Sequence, residues 1–216
     1  AVIKEALPHL ADDAVWLDMS SIKPEEARAQ SEDLASRGIA HLDAPVSGGT
    51  KGAEGASLAI MVGGAPKTFD KACAVFEAMG RPVLVGGSGA GQLSKLANQM
   101  IVAITIGAVA EAMLLLEKGG ADPAKVRQAL KGGFADSTIL QQHGERMTEG
   151  NFVPGGLSKF QLKDLDNALG EAHAAGLILP MAEQIRTRFA HLCDEMEGGD
   201  TDHSALYLEL KARNGL

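Results

Sequence analysis

A lysine lies at the start of a long apolar helix, three residues before an asparagine. Lys95 follows a glycine-rich turn, residues 86–91, and precedes a segment that stays apolar from Leu96 to Leu116. The positive end of a helix dipole disfavours a charged ammonium group, so we expect this position to lower the pKa of Lys95 and make it a better proton donor. Asn98 shares its helical face. The simpler alternative is a solvated lysine at a domain junction.

The turn before Lys95 resembles a dinucleotide-binding fingerprint without completing it. Residues 89–94 read Gly-Ala-Gly-Gln-Leu-Ser, so a serine stands where the last glycine of that fingerprint belongs. A nucleotide-binding unit also needs a second strand with an acidic end about 20 residues further on, and here that position falls inside the apolar helix. We therefore do not expect the nucleotide phosphates to bind at this turn.

Two hydroxyl-bearing segments follow predicted strands. Ser47, Gly48 and Gly49 offer a hydroxyl and unhindered backbone N–H groups at a strand end. Such a group suits a carboxylate or a phosphate, although glycines also mark plain tight turns. Ser20 and Ser21 precede a helix that is predicted to begin at Pro24, with Ser21 or Lys23 at its N-cap. From the residues alone, a capping role of the two serines is favoured over a binding role.

Other charged motifs have simple structural explanations. Lys163 and Asp164 open a predicted helix, where an exposed charged pair is the favoured interpretation. Asp202, His203 and Ser204 are consecutive, so on a helix they point in different directions and do not relay a proton among themselves. We expect Asp202 to be a helix N-cap. The histidines form no cluster with metal-ligand spacing, and no metal is predicted.

The composition excludes several classes of protein. The chain has 216 residues, is 45% hydrophobic and carries a formal charge of −8 without a Lys/Arg cluster, which argues against a nucleic-acid partner. Cys73 and Cys193 lie far apart, and no signal peptide is recognisable, so a cytoplasmic location is expected. The apolar run from Met100 to Leu116 is shorter than the ~20 residues of a membrane span. We expect no membrane and a helix buried between domains or subunits.

The predicted elements change from α/β to all-α near residues 86–91. Strand 14–17, helix 24–38 and strand 39–42 predict a right-handed parallel unit, whose ligands bind at the carboxyl ends of the strands. Strands 57–62 and 82–85 flank helix 66–79, and helices follow at 93–118, 123–130, 138–148, 162–175, 181–195 and 203–213. We expect an α/β domain with a partial Rossmann parallel sheet (1–88), linked by a long central helix to an all-α domain (89–216).

Taken together, the motifs resemble the β-hydroxyacid dehydrogenase family, which is related to 3-hydroxyisobutyrate dehydrogenase. They occur in the family's order and spacing and span nearly the whole chain. The matching segments are 18–22 (DMSSI), 43–49 (DAPVSGG), 61–64 (MVGG), 89–91 (GAG), 95–99 (KLANQ), 151–155 (NFVPG), 163–169 (KDLDNAL) and 202–206 (DHSAL). Each segment alone is unspecific, whereas the combination is specific.

The resemblance implies a role for each matching residue on the substrate side. Lys95 would be the general acid/base that protonates the substrate carbonyl oxygen as hydride arrives, and Asn98 would orient the substrate beside it. Ser47, Gly48 and Gly49 would hold the substrate carboxylate.

The resemblance also implies NAD or NADP as cofactor. Ser21 would lie against the nicotinamide end, and Lys163 would approach the cofactor from the helical domain, with no metal involved. Residues 1–88 would then be the C-terminal part of an NAD(P)-binding domain and 89–216 a substrate and dimerisation domain. A homodimer or homotetramer would form through the apolar helix.

The implied reaction interconverts a β-hydroxyacid and its semialdehyde. Asn98-Gln99, Ser137-Thr138 and the segment 202–206 favour 2-hydroxy-3-oxopropionate as substrate over 3-hydroxyisobutyrate. Threonate and succinic semialdehyde remain alternatives within the family. Two alternatives outside it are a non-catalytic dehydrogenase-like oligomerisation module, which would not need Lys95, and a simple carboxylate-binding protein.

The chain departs from the family pattern at two places. Gly156 stands where the family commonly has an aromatic residue, which is expected to alter the substrate pocket or its lid. The first strands and the phosphate-binding G-x-G-x-x-G turn are not found either, and a complete βαβ unit takes ~30 residues or more. We therefore expect that the chain begins within the Rossmann domain and that its N-terminal half, which would determine the choice between NAD and NADP, is missing.

Overall fold

Strands and helices alternate in the first part of the chain, and helices follow. The computed structural model describes residues 2–216, which form two compact units, the first ending at Ala97 and the second comprising Asn98–Leu216. The elements up to residue 86 are α1 (Val2–Ala6), β1 (Val15–Asp18), α2 (Pro24–Ala35), β2 (Ala40–Asp43), β3 (Val46–Ser47), α3 (Gly49–Glu54), β4 (Leu58–Gly64), α4 (Pro66–Glu77) and β5 (Gly80–Gly86). They are followed by α5 (Ala90–Gly119), α6 (Pro123–Leu130), α7 (Thr138–Glu149), α8 (Ser158–Ala174), α9 (Pro180–Ala190) and α10 (Leu206–Arg213).

The sheet of the first unit is mixed. β1 and β2 are parallel, as the sequence predicts, and β4 and β5 are also parallel. β4 runs antiparallel to both β2 and β3. β2 and β3 are nearly one strand, interrupted at Ala44 and Pro45, and Pro45 has no N–H group with which to continue the ladder. Its carbonyl oxygen instead accepts a hydrogen bond from the Met61 N–H group at 3.0 Å.

One face of this sheet packs on α4. Phe76 and Ala72 of α4 are buried against Leu42 of β2 and Ile60 of β4. These residues follow the helical and strand periods that the sequence shows, which is why both helix and strands could be predicted there. The resulting core fixes the carboxyl ends of β1 and β2, where Asp18 and Asp43 lie.

The core of the second unit is built around α5. Its buried residues Ala103, Ile106, Ala110 and Met113 pack in one cluster with side chains from α7 to α10. By length and composition alone, α5 would also be long and apolar enough to cross a membrane. One such helix is weak evidence, and because α5 contributes to this core we interpret it as the core helix of a globular unit.

Several element boundaries differ from the predictions. The predicted helix 181–195 is an α-helix only to Ala190 and continues as a π-helix, His191–Glu195. The predicted helix 203–213 begins with a 3-10 turn, His203–Ala205, and α8 begins four residues earlier than expected. The short elements β3 and α3 had no clear sequence signal, because one has two residues and the other is rich in glycine, a poor helix former.

Candidate functional site

The first turn of α5 is capped by a carboxylate from the sheet. Asp43, at the carboxyl end of β2, is 0% exposed. Its Oδ1 accepts a hydrogen bond from the Gly89 N–H group at 2.8 Å, and its Oδ2 accepts one from the Gln92 N–H group at 2.9 Å. These bonds satisfy donors that a helix start otherwise leaves unpaired. The sequence argument for Lys95 counted the helix dipole alone, whereas the structure adds a buried negative charge at the same helix end.

The side chain of Gln92 ties α5 to the turn that follows β1. Gln92 is also 0% exposed. Its Nε2 donates to the carbonyl oxygen of Ser20 at 2.8 Å, and its Oε1 accepts from the Ile22 N–H group at 3.1 Å. Ser21, between these two partners, is exposed. The turn that carries Ser21 is therefore fixed to the helix that carries Lys95.

Of the two predicted N-caps of α2, Lys23 is confirmed, and the capping role of Ser20 and Ser21 is wrong. The N-cap of α2 is Lys23, whose backbone N–H group donates to Glu26 Oε2 at 3.0 Å. Ser20 instead bonds back to Asp18, through its backbone N–H group at 2.9 Å and through its hydroxyl. The turn at the end of β1 is thus held from both sides, and the side chain of Ser21 does not serve the helix.

Ser47, Gly48 and Gly49 form a tight turn at the end of β3. Gly48 has φ 141° and Gly49 has φ 61°, and both values lie in a region that residues with a side chain rarely adopt. A Cβ atom on Gly48 would also lie 3.1 Å from Leu58 Cδ2. The turn therefore requires glycine. A serine hydroxyl followed by the backbone N–H groups of a glycine turn is a donor set that suits a carboxylate.

In the second unit, a hydrogen-bonded chain joins Asn98 to Lys163. Asn98 Nδ2 donates to Gln99 Oε1 at 2.9 Å, and Gln99 Nε2 donates to Asp164 Oδ2 at the same distance. The other oxygen, Asp164 Oδ1, lies 3.0 Å from Lys163 Nζ. Asp164 is 6% exposed. The prediction of an exposed charged pair is therefore correct for Lys163 and wrong for Asp164, which is buried.

Sequence reasoning missed Asp43, Gln92, Gln99 and Asp164. Asp43, Gln99 and Asp164 stood inside motifs that were recognised, but nothing in those motifs indicated which distant groups they bond to. Their hydrogen-bond partners lie 46 to 72 residues away for the first unit and 65 residues away for the second. No local pattern reveals such pairs.

A second cluster joins His143, Asp202 and His203. One potential ligand atom from each lies within 4.8 Å of the others. Burial lowers the pKa of His203, and burial together with the charge of His203 lowers the pKa of His143 to about 4. Burial opposes ionisation of Asp202, but hydrogen bonds from Ser204 and Gly155 prevail and lower its pKa to about 2.

The donors around Asp202 argue against a metal ion at this cluster. Oδ1 accepts from the N–H group and hydroxyl of Ser204, and Oδ2 accepts from the N–H groups of Gly155 and Gly156. Arg146 Nη1 also lies 3.7 Å from Oδ2. With both oxygens occupied and a cation nearby, Asp202 acts as the helix N-cap that the sequence predicts.

Gly156 lies directly against an imidazole ring. A Cβ atom at this position would approach His203 Cε1 to 3.2 Å and His203 Nε2 to 3.4 Å. A side chain at residue 156 would therefore require the His203 ring to shift. This contact gives a physical reason for the glycine at a position where an aromatic residue was expected.

One cavity in the first unit is not lined by the predicted site residues. It has a volume of about 380 Å³ and is lined by His41, Thr68, Ser88 and neighbouring residues. It includes none of the predicted site residues, so we do not place the reaction there.

Two family models match the chain. One is described as the NAD binding domain of 6-phosphogluconate dehydrogenase and matches residues 1–87. The other is described as NAD-binding of NADP-dependent 3-hydroxyisobutyrate dehydrogenase and matches residues 89–210. The second match alone covers more than half of the chain.

Individual relatives give the same answer. The chain is 47% identical, over 93% of its length, to 2-hydroxy-3-oxopropionate reductase of Escherichia coli (strain K12), of which it covers 69%. It is 34% identical, also over 93% of its length, to 3-hydroxyisobutyrate dehydrogenase of Pseudomonas aeruginosa, of which it covers 70%. Among other curated relatives the covered share is 66% and 63%, so the chain spans about two thirds of their length.

A solved structure agrees in fold. The 3-hydroxyisobutyrate dehydrogenase of Mycobacterium tuberculosis, determined with L-serine, matches with a TM-score of 0.85 at 30% identity, covering 97% of this chain and 75% of the other. The mixed sheet followed by helices is therefore the fold of that enzyme's corresponding part. With the motifs, the family models and the relatives in agreement, this chain belongs to the β-hydroxyacid dehydrogenase family of NAD(P)-dependent oxidoreductases.

Proposed function

We propose that the protein reduces 2-hydroxy-3-oxopropionate (tartronate semialdehyde) to glycerate with NADH or NADPH. The observation that carries this proposal is the 47% identity to an enzyme named for that reaction, over 93% of the chain. Lys95 on the capped helix α5 supports it, because reduction of an aldehyde needs a proton donor beside the carbonyl oxygen.

Lys95 acts as the general acid. Its Nζ holds a proton that passes to the carbonyl oxygen of the semialdehyde as the carbon is reduced, which gives the alcohol. In the reverse direction the neutral amine takes the proton from the hydroxyl group. Asn98, three residues further along α5, orients the substrate by hydrogen bonding.

The turn Ser47, Gly48 and Gly49 binds the substrate carboxylate. Its hydroxyl and N–H groups supply donors, and the positive φ values of both glycines support a turn built for close approach by a ligand. Because the carboxylate is held at one end, the aldehyde at the other end of a three-carbon acid is positioned for reduction.

The available donors fit a nicotinamide coenzyme. Ser21 presents an exposed hydroxyl at the carboxyl end of β1, the end at which such sheets bind nucleotides. Lys163 presents an ammonium group on a side chain that is 47% exposed. We assign both residues to coenzyme binding. When bound, the reduced coenzyme supplies the hydride.

We further propose the domain roles and setting that follow from this assignment. Residues 1–88 bind the coenzyme, and residues 89–216 serve substrate binding and subunit association, giving a homodimer or homotetramer. A cytoplasmic location is supported by Cys73 and Cys193, which are both free thiols.

The second candidate substrate is 3-hydroxyisobutyrate, which is supported by the similarity of this chain to two enzymes named for it. The identity is 34% to the Pseudomonas aeruginosa enzyme and 30% to the solved Mycobacterium tuberculosis enzyme. The reaction type and the roles of Lys95 and Asn98 are the same for both substrates, so the choice concerns only the groups that surround the substrate.

An assay of reduced-nicotinamide oxidation tests the proposal. The complete natural chain is given tartronate semialdehyde, methylmalonate semialdehyde and succinic semialdehyde with NADH and with NADPH. We expect the fastest turnover with tartronate semialdehyde. Faster turnover with another semialdehyde would change the substrate assignment. No turnover with any of the three, in a protein that binds coenzyme, would favour the non-catalytic module.

A further inference from the structure

Two polar side chains in the first unit are completely buried at the start of α5. Asp43 and Gln92 are both 0% exposed. Burying a carboxylate or an amide is unfavourable unless its polar atoms find partners, and here both side chains have well-placed partners. Four hydrogen bonds of 2.8 to 3.1 Å join them to segments far away in sequence.

These bonds join three separate segments. Asp43 belongs to the strand that leads to Ser47, and it holds the backbone of α5 at Gly89 and Gln92. The Gln92 side chain then holds the turn on either side of Ser21. The three segments carry the proposed carboxylate turn, the proposed proton donor and the proposed nicotinamide contact.

The chemistry of each side chain suits its place. Asp43 faces two N–H groups, and a carboxylate offers two acceptor oxygens with a charge that favours the helix start. Gln92 faces one carbonyl oxygen and one N–H group, and an amide is the side-chain group that offers a donor and an acceptor together. An aspartate at residue 92 or an asparagine at residue 43 would leave a mismatched partner.

We propose that Asp43 and Gln92 are positioning residues that set the coenzyme turn and the proton-donating helix relative to each other. The inference rests on the proposed function for its roles of Ser21 and Lys95. Gln92 acts on the coenzyme through the backbone around Ser21. Asp43 acts on Lys95 through the first turn of α5.

The main test replaces Gln92 with methionine, which has a similar shape and lacks both hydrogen-bonding atoms. In the complete natural chain, we expect Gln92→Met to weaken NADH or NADPH binding about tenfold and to lower kcat about tenfold, because a displacement of about 1 Å at a reacting site is enough for such losses. The KM for the semialdehyde should stay unchanged, since the turn at Ser47 is not held by the Gln92 side chain.

A matched control separates positioning from stability. Gln141, in the second unit, is partly buried, and its Nε2 donates to the Arg127 carbonyl oxygen at 3.3 Å and to Asp136 Oδ1 at 2.7 Å. Gln141→Met should lower the melting temperature as Gln92→Met does, while leaving coenzyme binding and kcat unchanged.

Coenzyme binding and turnover are measured separately, so failure of this inference differs from failure of the proposed function. Gln92→Met with unchanged coenzyme Kd and kcat but a lower melting temperature would overturn the positioning role, even if the wild type reduces the semialdehyde. A wild type that binds coenzyme without turnover would contradict the proposed function, and the coenzyme Kd of Gln92→Met would still test the inference.

A second pair of variants covers the possibility that Gln92→Met does not fold. Gln92→Asn keeps the amide on a shorter side chain and should give a smaller loss of coenzyme affinity in the same direction. Asp43→Asn keeps one acceptor and places an NH₂ group against an N–H group, so we expect a fall in kcat that exceeds the loss of coenzyme affinity. Unchanged kcat and Kd in both variants would overturn the proposal.

Discussion

The buried carboxylate of Asp164 lies 3.0 Å from the ammonium group of Lys163, which is partly exposed. Because Gln99 occupies the other oxygen of Asp164, the carboxylate has little freedom and holds the lysine in place. Lys163 is the residue that we assign to coenzyme binding from the helical unit. The pair therefore fixes a cation at the solvent boundary rather than leaving it on a mobile side chain.

Asp164→Asn tests this role of Asp164. The variant keeps an oxygen for Gln99 but loses the ion pair, so we expect the coenzyme KM to rise about tenfold, the size expected for one charge-assisted hydrogen bond, with a small change in kcat. Steady-state kinetics with varied coenzyme concentration measure this KM and kcat. Asp166→Asn is the control, because Asp166 lies on the same helix as Asp164 and forms an exposed ion pair with Arg186 of α9. Equal effects of both variants would contradict a specific role for Asp164.

Gly91 should be essential for the position of α5. A Cβ atom there would lie 2.4 Å from the Met61 carbonyl oxygen and 2.5 Å from the Asp43 carbonyl oxygen, and neither backbone atom can move alone. We expect Gly91→Ala to destabilise the protein by about 1–3 kcal/mol, as overpacking does, and to lower kcat because the turn carrying Lys95 shifts. Gly87→Ala is the matched control, since a Cβ atom at Gly87 meets nothing within 4 Å.

Urea unfolding and kcat are measured on both glycine variants. A Gly91→Ala protein with wild-type stability and turnover would show that α5 tolerates the shift. A Gly87→Ala protein as impaired as Gly91→Ala would mean that the glycine-rich turn acts through flexibility rather than through close packing.

Local patterns in the sequence were sufficient for most of the fold. Short apolar runs predicted β1 and β2 within a few residues, and Pro24, Pro66 and Pro123 marked the starts of α2, α4 and α6. The reversal of β4 against β2 was not predicted, because a two-residue strand after Pro45 leaves no periodic signal. The π-helix at His191 likewise interrupts a helix whose sequence shows no break.

The sequence predicted those site residues that belong to recognisable motifs. Lys95, Asn98 and Lys163 were selected by residue type and by family resemblance, and their roles stay predictions. Asp43 and Gln92 could not be selected, because what distinguishes them is complete burial against distant backbone groups. Ser20 was predicted as a cap because serine is common before a helix. In the structure its N–H group and hydroxyl donate to the Asp18 carboxylate instead.

His143 should make the protein less stable in acid. Its pKa is lowered from 6.5 to about 4 by burial and by His203. As the pH falls below 6.5, the unfolded chain binds a proton at this histidine while the folded protein does not, so stability is lost between pH 6.5 and about 4. The expected loss is about 3 kcal/mol at most.

Urea midpoints at neutral pH and near pH 4.5 measure this loss. His143→Gln should be less sensitive to pH than the wild type, with a remaining slope from His203, whose pKa is also lowered. His173→Gln is the control, because that side chain is 66% exposed. If His143→Gln lost as much stability in acid as the wild type, the cause would lie in other groups.

Replacement of Lys95 by alanine tests the central claim most directly. We expect turnover with tartronate semialdehyde to fall by about 10²–10⁴-fold, the range for loss of a general acid, while the coenzyme Kd stays at the wild-type value. Lys118→Ala, near the other end of α5 and exposed, should leave both values unchanged. Near-normal turnover in Lys95→Ala would contradict the mechanism, whereas lost turnover with intact coenzyme binding is the result that this account predicts.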